Sequence, residues 1–141
     1  STEMKPTRDK VFLDSNVIIY SFGTEENKKI IANDLLKGNP IVSSQVLNEI
    51  SNVLFRKLNV KITDIKTAVE FLSMICVVKI ITPKTIQSAL NIVDQYGFSY
   101  YDSLIISSAL ESKSTILYSE DMSDGQVIDK KLRVVNPFKE K

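Results

Sequence analysis

Histidine is absent from the 141 residues, and cysteine occurs once, at Cys76. Ser-His-Asp and Cys-His catalysis, His-containing zinc sites, a thiolate metal site and an internal disulfide are thereby excluded. The chemistry left to the chain is that of carboxylates, hydroxyls and amides, which suit hard, oxygen-liganded cations such as Mg2+ and Mn2+. The acids of interest fall at or just after short apolar runs. Asp14 closes Val11-Phe12-Leu13, and Asp121 lies three residues past Tyr118, which ends Thr115-Ile116-Leu117-Tyr118. Glu49 follows the run Pro40-Ile41-Val42 on an amphipathic segment, and Asp102 stands three residues after Ser99. Four carboxylates in one cleft repel one another and raise the pKa of at least one, unless a divalent cation neutralises them. Such a centre can polarise a phosphodiester, help ionise a water for in-line attack and stabilise the leaving oxygen, all without histidine.

Each acid also has an ordinary structural role open to it. Asp14 could cap a helix, a contribution of about 0.5–2 kcal/mol. Asp102, three residues after Ser99, fits a variant of the capping box in which the acid bonds back to the cap. Glu49 shares a helix face with Val46, Ile50 and Val53. A carboxylate at the edge of an apolar stripe needs a partner, because an unpaired buried charge is costly. Asp121 belongs to Ser119-Glu120-Asp121-Met122-Ser123-Asp124, where Glu120 and Asp124 compete for the same role and Asp124-Gly125 reads as a turn. Position favours Asp121, with Asp124 the alternative fourth acid.

The elements that must carry these acids follow from periodicity and punctuation. A strand to Leu13 is followed by a short helix for which Asp14 and Ser15 can both cap. Glu25 to Lys37 is helical and stops at Gly38, and Pro40-Ile41-Val42 is a second strand. Ser43 or Ser44 opens a helix through Val46, Ile50, Val53, Leu54 and Leu58, and Thr63 to Met74 forms another. Val77 to Ile81 is strand-like, and Thr82-Pro83 starts a helix that ends at Gly97. A helix from Ser99 through Leu110, the strand Thr115–Tyr118 and a short terminal strand at Arg133-Val134-Val135 complete the chain. Strands alternating with helices predict an α/β fold with a mostly parallel sheet covered by helices on both faces. Ligands bind such sheets outside the carboxyl ends of the strands. If the first, second and fourth strands are neighbours, all four acids can face one cleft.

Composition is that of a soluble globular protein, with 43% hydrophobic and 25% charged residues. Residues 11–138 read as a single domain, with an N-terminal tail at 1–10 and a C-terminal tail at 139–141. Met4 fits a natural start, with Ser1 to Glu3 then left over from expression. No apolar stretch approaches the roughly 18 residues that span a bilayer, and no secretory h-region opens the chain, which predicts a cytoplasmic protein without membrane contact. Eighteen Lys and Arg against seventeen Asp and Glu leave a net charge of +1, so any nucleic-acid binding must come from a local patch. Cys76, inside Met74-Ile75-Cys76-Val77-Val78, reads as a buried small hydrophobe.

The segments Val11-Phe12-Leu13-Asp14-Ser15-Asn16-Val17, Ser44 to Ile50 with Glu49, Tyr100-Tyr101-Asp102-Ser103-Leu104-Ile105 and Tyr118-Ser119-Glu120-Asp121 resemble, as an ordered set, the PIN domain. The likeness runs from about Val11 to Phe138. It implies a three-layer α/β/α sandwich whose mostly parallel central sheet has four to five strands flanked by helices. It also implies a Mg2+/Mn2+-dependent endoribonuclease, many members being VapC-type toxins of toxin–antitoxin pairs. Asp14, Glu49, Asp102 and Asp121 would then be the catalytic, metal-binding acids, supported by hydrogen bonds from Asn16 and Ser119.

An RNA substrate would need cations beside the acidic cleft, for which Lys28, Lys29, Lys57, Lys61, Lys113, Lys130, Lys131 and Arg133 are the candidates. Tyr100 and Tyr101 could stack on unpaired bases. A small antitoxin protein, docking on the helices between Ser44 and Met74, and a second copy of the chain are the protein partners the resemblance implies. The alternatives are a housekeeping RNA-processing nuclease and a non-catalytic nucleic-acid-binding or assembly module. Haloacid dehalogenase-like phosphatases also begin with a strand ending in Asp, but they need a second Asp two residues on, where this chain has Asn16.

Overall fold

A computed structural model describes residues 9–139. The N-terminal tail up to residue 8, including the question of Met4 as the start, and the last two residues of the C-terminal tail lie outside the described residues.

The strands are β1 (Val11–Leu13), β2 (Ile41–Ser43), β3 (Val77–Lys79), β4 (Ile116–Tyr118), β5 (Val127–Ile128) and β6 (Leu132–Val135). The helices are α1 (Ser15–Ile18), α2 (Glu26–Leu36), α3 (Ser44–Arg56), α4 (Ile62–Ile75), α5 (Pro83–Tyr96) and α6 (Tyr100–Glu111), with a 3-10 turn at Ile19–Phe22. One sheet runs in the order β3-β2-β1-β4-β6-β5 and is parallel except for β5, which pairs antiparallel with β6. With helices packed on it, the sheet forms the expected three-layer α/β/α sandwich. The expectation of four to five strands falls one short. β5 is only two residues long, between the Asp124-Gly125 turn and the left-handed residues Asp129 and Lys130, and so has no periodicity to read.

Local chemistry accounts for the helix starts. The Ser43 hydroxyl accepts from the Val46 N–H at 3.2 Å and so opens α3. Thr82 and Thr85 form a reciprocal capping box that spans Pro83, and α5 ends at Gly97 with φ of 74°, a conformation glycine adopts without a Cβ penalty. The core lies along the sheet, where Phe12, Leu13, Val42, Leu117, Leu132 and Val134 are buried. Against it pack Val46, Ile50 and Leu54 of α3 and the long buried stretch Ser103–Ala109 of α6. That helix is enclosed on nearly every side, so its small serines replace the usual polar stripe. Cys76 is buried as expected, and desolvation pushes its thiol up to about 11, which leaves it unreactive. Among the described residues no helix is long and apolar enough to cross a membrane.

The topology decides where a ligand can sit. The chain steps outward from β1 to β2 and β3, then returns to lay β4 on the opposite side of β1. The connections therefore diverge between β1 and β4 and open a crevice at their carboxyl ends. Asp14 directly follows β1, and Ser119 directly follows β4.

Candidate active site

Asp14 sits at the floor of that crevice. Its N–H donates to the Tyr118 carbonyl at 3.0 Å, continuing the β1–β4 ladder by one residue. Oδ1 accepts from the Ser15 N–H at 2.7 Å, so the capping role is real, but it occupies only one oxygen. Oδ2 accepts from the Ser119 hydroxyl at 2.9 Å and lies 3.4 Å from the Asn16 amide nitrogen. The side chain is buried, and the carboxyl pKa rises from 3.8 to about 6. Desolvation is the main cause, the hydrogen bonds from Ser119 and Ser15 oppose it, and the charges of Glu49 and Asp102 add to it.

Glu49 has the partners that its place at the edge of an apolar stripe demands. Ser15 donates its hydroxyl to Oε2 and Gln45 its amide to Oε1, both at 2.7 Å. The Gln45–Glu49 contact is an i,i+4 helix pair, a spacing visible in the sequence. The Ser15 hydroxyl is not, because it joins residues that sequence separates by 34 positions. Ser15 also stands 3.4 Å from Asp14 Oδ1, so one hydroxyl lies between the first two acids.

The three acids after β4 separate cleanly. Asp121 accepts from Asn16 Nδ2 at 3.1 Å, which turns it toward Asp14 and Ser119. Glu120 turns the other way, paired with Lys28 at 2.7 Å and accepting the Tyr20 hydroxyl. The Lys28 ammonium lies 4.5 Å from the Tyr20 ring and 5.4 Å from that of Phe138. Against the partial desolvation of Glu120, this pairing lowers its pKa and raises that of Lys28. Asp124 accepts from the Asn136 N–H at 2.8 Å and pairs with Lys139, which serves the turn at Gly125. Glu120 and Asp124 are thus engaged elsewhere.

Asp102 enters from α6. Its N–H donates to the Ser99 hydroxyl at 3.2 Å, the forward half of a capping box. The return bond from its carboxylate is not formed, and the side chain instead lines a cavity with Asp121. Glu49 and Asp121 line a second cleft of about 500 Å3, together with Ser15, Asn16 and Lys57.

The donor set fits a hard divalent cation on three grounds. It is made wholly of oxygen and amide groups. One of its carboxylates is buried, and desolvation, with the charges of its acidic neighbours, favours its protonated form. Among the described residues, none of the four acids has a Lys or Arg partner, whereas Glu120 and Asp124 both do. No three of the acids stand as a ready-made metal cage among the described residues; Ser15, Asn16 and Ser119 are hydrogen-bonded between them.

Of the lysines expected to flank the cleft, the structure brings Lys57 to it. Lys28 is committed to Glu120. Lys113 precedes β4 and Lys130 and Lys131 precede β6, so they lie at the amino ends of these parallel strands, opposite Asp14. Tyr100 and Tyr101 meet edge to face at 5.4 Å, and Tyr101, 67% exposed, borders Glu49 in a groove with Gln45, Asn48 and Asn52.

A family model described as the PIN domain matches residues 11–123. A chain of a toxin-antitoxin complex from Klebsiella pneumoniae superimposes with a TM-score of 0.71 at 16% identity, covering 93% of this chain and all of that one. VapC20 of Mycobacterium tuberculosis, a sarcin-ricin loop cleaving toxin, superimposes with a TM-score of 0.65 at 18% identity, covering 79% of this chain and 90% of that one. No curated protein matches the chain.

Proposed function

The chain belongs to the PIN domain family, and from that premise we propose that it is a Mg2+- or Mn2+-dependent endoribonuclease, a VapC-like toxin, with Asp14, Glu49, Asp102 and Asp121 as its metal-binding acids. The observation that carries this reading is the set of four carboxylates without cationic partners around one crevice, one of them buried. Desolvation and the charges of Glu49 and Asp102 disfavour an ionised Asp14, and a bound cation would offset both.

Bound Mg2+ or Mn2+ would offset the carboxylate charge, polarise the phosphodiester and favour ionisation of the attacking water. The protein's own residues supply orientation. Ser119 and Asn16 fix Oδ2 of Asp14, and Ser15 and Gln45 hold the two oxygens of Glu49. Asn16 links Asp14 to Asp121 and, through its carbonyl, accepts the Glu120 N–H at 3.1 Å. The Lys28–Glu120 pair braces the loop after β4 from behind. Lys57 offers a phosphate contact in the cleft, and Tyr101 an exposed ring for base stacking.

The toxin assignment draws on the fold shared with VapC20 and with a chain of a toxin-antitoxin complex. An antitoxin has a surface to bind on α3 and α4, where Phe55, Ile62, Phe71 and Met74 are exposed. The test is incubation of the protein with single-stranded and structured RNAs. Cleavage with Mg2+ or Mn2+ that EDTA abolishes supports the proposal; metal-independent cleavage, or none across the panel, contradicts it.

A further inference from the structure

A cavity of about 130 Å3 has Asp102 and Asp121 in its lining. Its walls are apolar, from Phe98, Ile106, Met122, Ile128 and Val134, and two polar residues, Ser123 and Gln126, also line it. The walls are built rather than loose. Phe98 stacks on Tyr96 at 5.4 Å with the rings 6° from parallel. Tyr96 is anchored in turn by its hydroxyl, which donates to the Asp129 carboxylate at 2.9 Å and accepts the Asp129 N–H at 3.2 Å. The backbone of Gln126 is pinned on both sides: its N–H donates to the Ser123 carbonyl, and its carbonyl accepts the Val134 N–H at 2.8 Å. The side-chain amide is left to serve the cavity.

Resting on the nuclease reading above, we propose that this cavity takes one unstacked pyrimidine base of the RNA next to the bond that is cut. Its largely apolar lining matches a neutral heteroaromatic ring with a polar edge better than a phosphate. A volume of about 130 Å3 is close to that of an engineered apolar cavity of about 150 Å3 that admits benzene, so one six-membered ring fits with more room to spare than the larger purine bicycle. The Gln126 amide offers both a donor and an acceptor to the amide-like edge of a pyrimidine, and splayed bases read on their edges are how proteins select RNA sequence. An apolar side chain from a protein partner would leave Gln126 and Ser123 without partners, which disfavours it.

The binding test does not depend on catalysis. The 15N-labelled protein is titrated with cytidine, uridine and adenosine, nucleosides being used so that binding reports the base alone. The expected result is amide shifts at Ser123, Gln126 and Ile128, with a pyrimidine about 5-fold tighter than adenosine and Gln126→Ala about 5-fold weaker, the worth of one net hydrogen bond. In parallel, product ends from a random single-stranded RNA pool should be enriched in pyrimidine at one flanking position for wild type. Gln126→Ala should flatten that preference. Absence of shifts at the cavity, or adenosine binding ahead of both pyrimidines, overturns the proposal. Pyrimidine shifts in a protein that cuts no RNA uphold the pocket and contradict the nuclease reading instead.

Discussion

The Asn16 side-chain amide donates to Asp121 Oδ2 at 3.1 Å and so ties together two residues 105 positions apart. The same nitrogen lies 3.3 Å from the Ser119 hydroxyl and 3.4 Å from Asp14 Oδ2, so it sets the spacing between the acid that follows β1 and the acid that follows β4. Asn16→Ala removes this spacer without touching a carboxylate. Partners of metal ligands typically contribute about 10–100-fold in affinity or activity, and a loss in that range is expected here. Cleavage rate against Mn2+ concentration measures it, and a variant with the wild-type curve would show that Asn16 positions nothing.

Glu120 and Asp121 are adjacent in sequence but have different partners, Lys28 and Tyr20 for the first and Asn16 for the second. Glu120→Gln weakens the contacts to Lys28 and Tyr20 but leaves the acids of the crevice in place, so cleavage should stay within a few-fold of wild type. Asp121→Asn should cost more than the roughly 100-fold ceiling of an outer partner. Single-turnover rates of the two variants decide between them, and the reverse order would transfer the fourth position to Glu120.

Burial of Asp14 makes the metal-free protein sensitive to pH in a definite direction. The folded-state pKa, about 6, lies above the 3.8 of the free carboxyl, so the folded state holds the proton more tightly. The contribution of Asp14 to stability without metal is therefore fullest below 3.8 and is lost as pH rises through about 6, by an amount of order 3 kcal/mol. The substitution Asp14→Asn removes the titrating group, so urea unfolding in EDTA should show wild type and variant diverging across this window, with the variant gaining at pH 7. Parallel curves would mean that the Asp14 charge is not desolvated.

A cation that binds only the folded state must stabilise it. At a concentration 100 times its dissociation constant the gain is about 2.7 kcal/mol, and the melting temperature should rise accordingly with Mg2+ or Mn2+. Asp14→Asn should lose most of the rise. An unchanged melting temperature for wild type would favour a non-catalytic module in which the acids serve only as caps.

Much of this site is legible in the order of the residues, for local reasons. Asp14 ends a run of three apolar residues, which marks a strand end, and Glu49 stands among Val46, Ile50 and Val53, which marks a carboxylate in need of a partner. The parts that escape sequence are those set by distant pairing. Lys28 reads as a phosphate contact until Glu120, 92 residues away, is seen beside it. Lys113, Lys130 and Lys131 read as phosphate contacts because nothing local tells which end of a parallel sheet a turn occupies. Ser15 reads as a cap, and its bond to Glu49 exists only because α1 and α3 pack together. The two-residue β5 is too short to have a pattern.

The central claim is that these four carboxylates form one metal-dependent ribonuclease centre. The most direct measurement compares RNA cleavage by wild type, Asp14→Asn and Asp102→Asn, with Mn2+, with Mg2+ and with EDTA, after thermal melts establish that all three are folded. The expected result is metal-dependent cutting by wild type and none by either variant. Undiminished cutting by both folded variants would contradict the claim, since the acid that follows β1 and the acid on α6 would then have no common task.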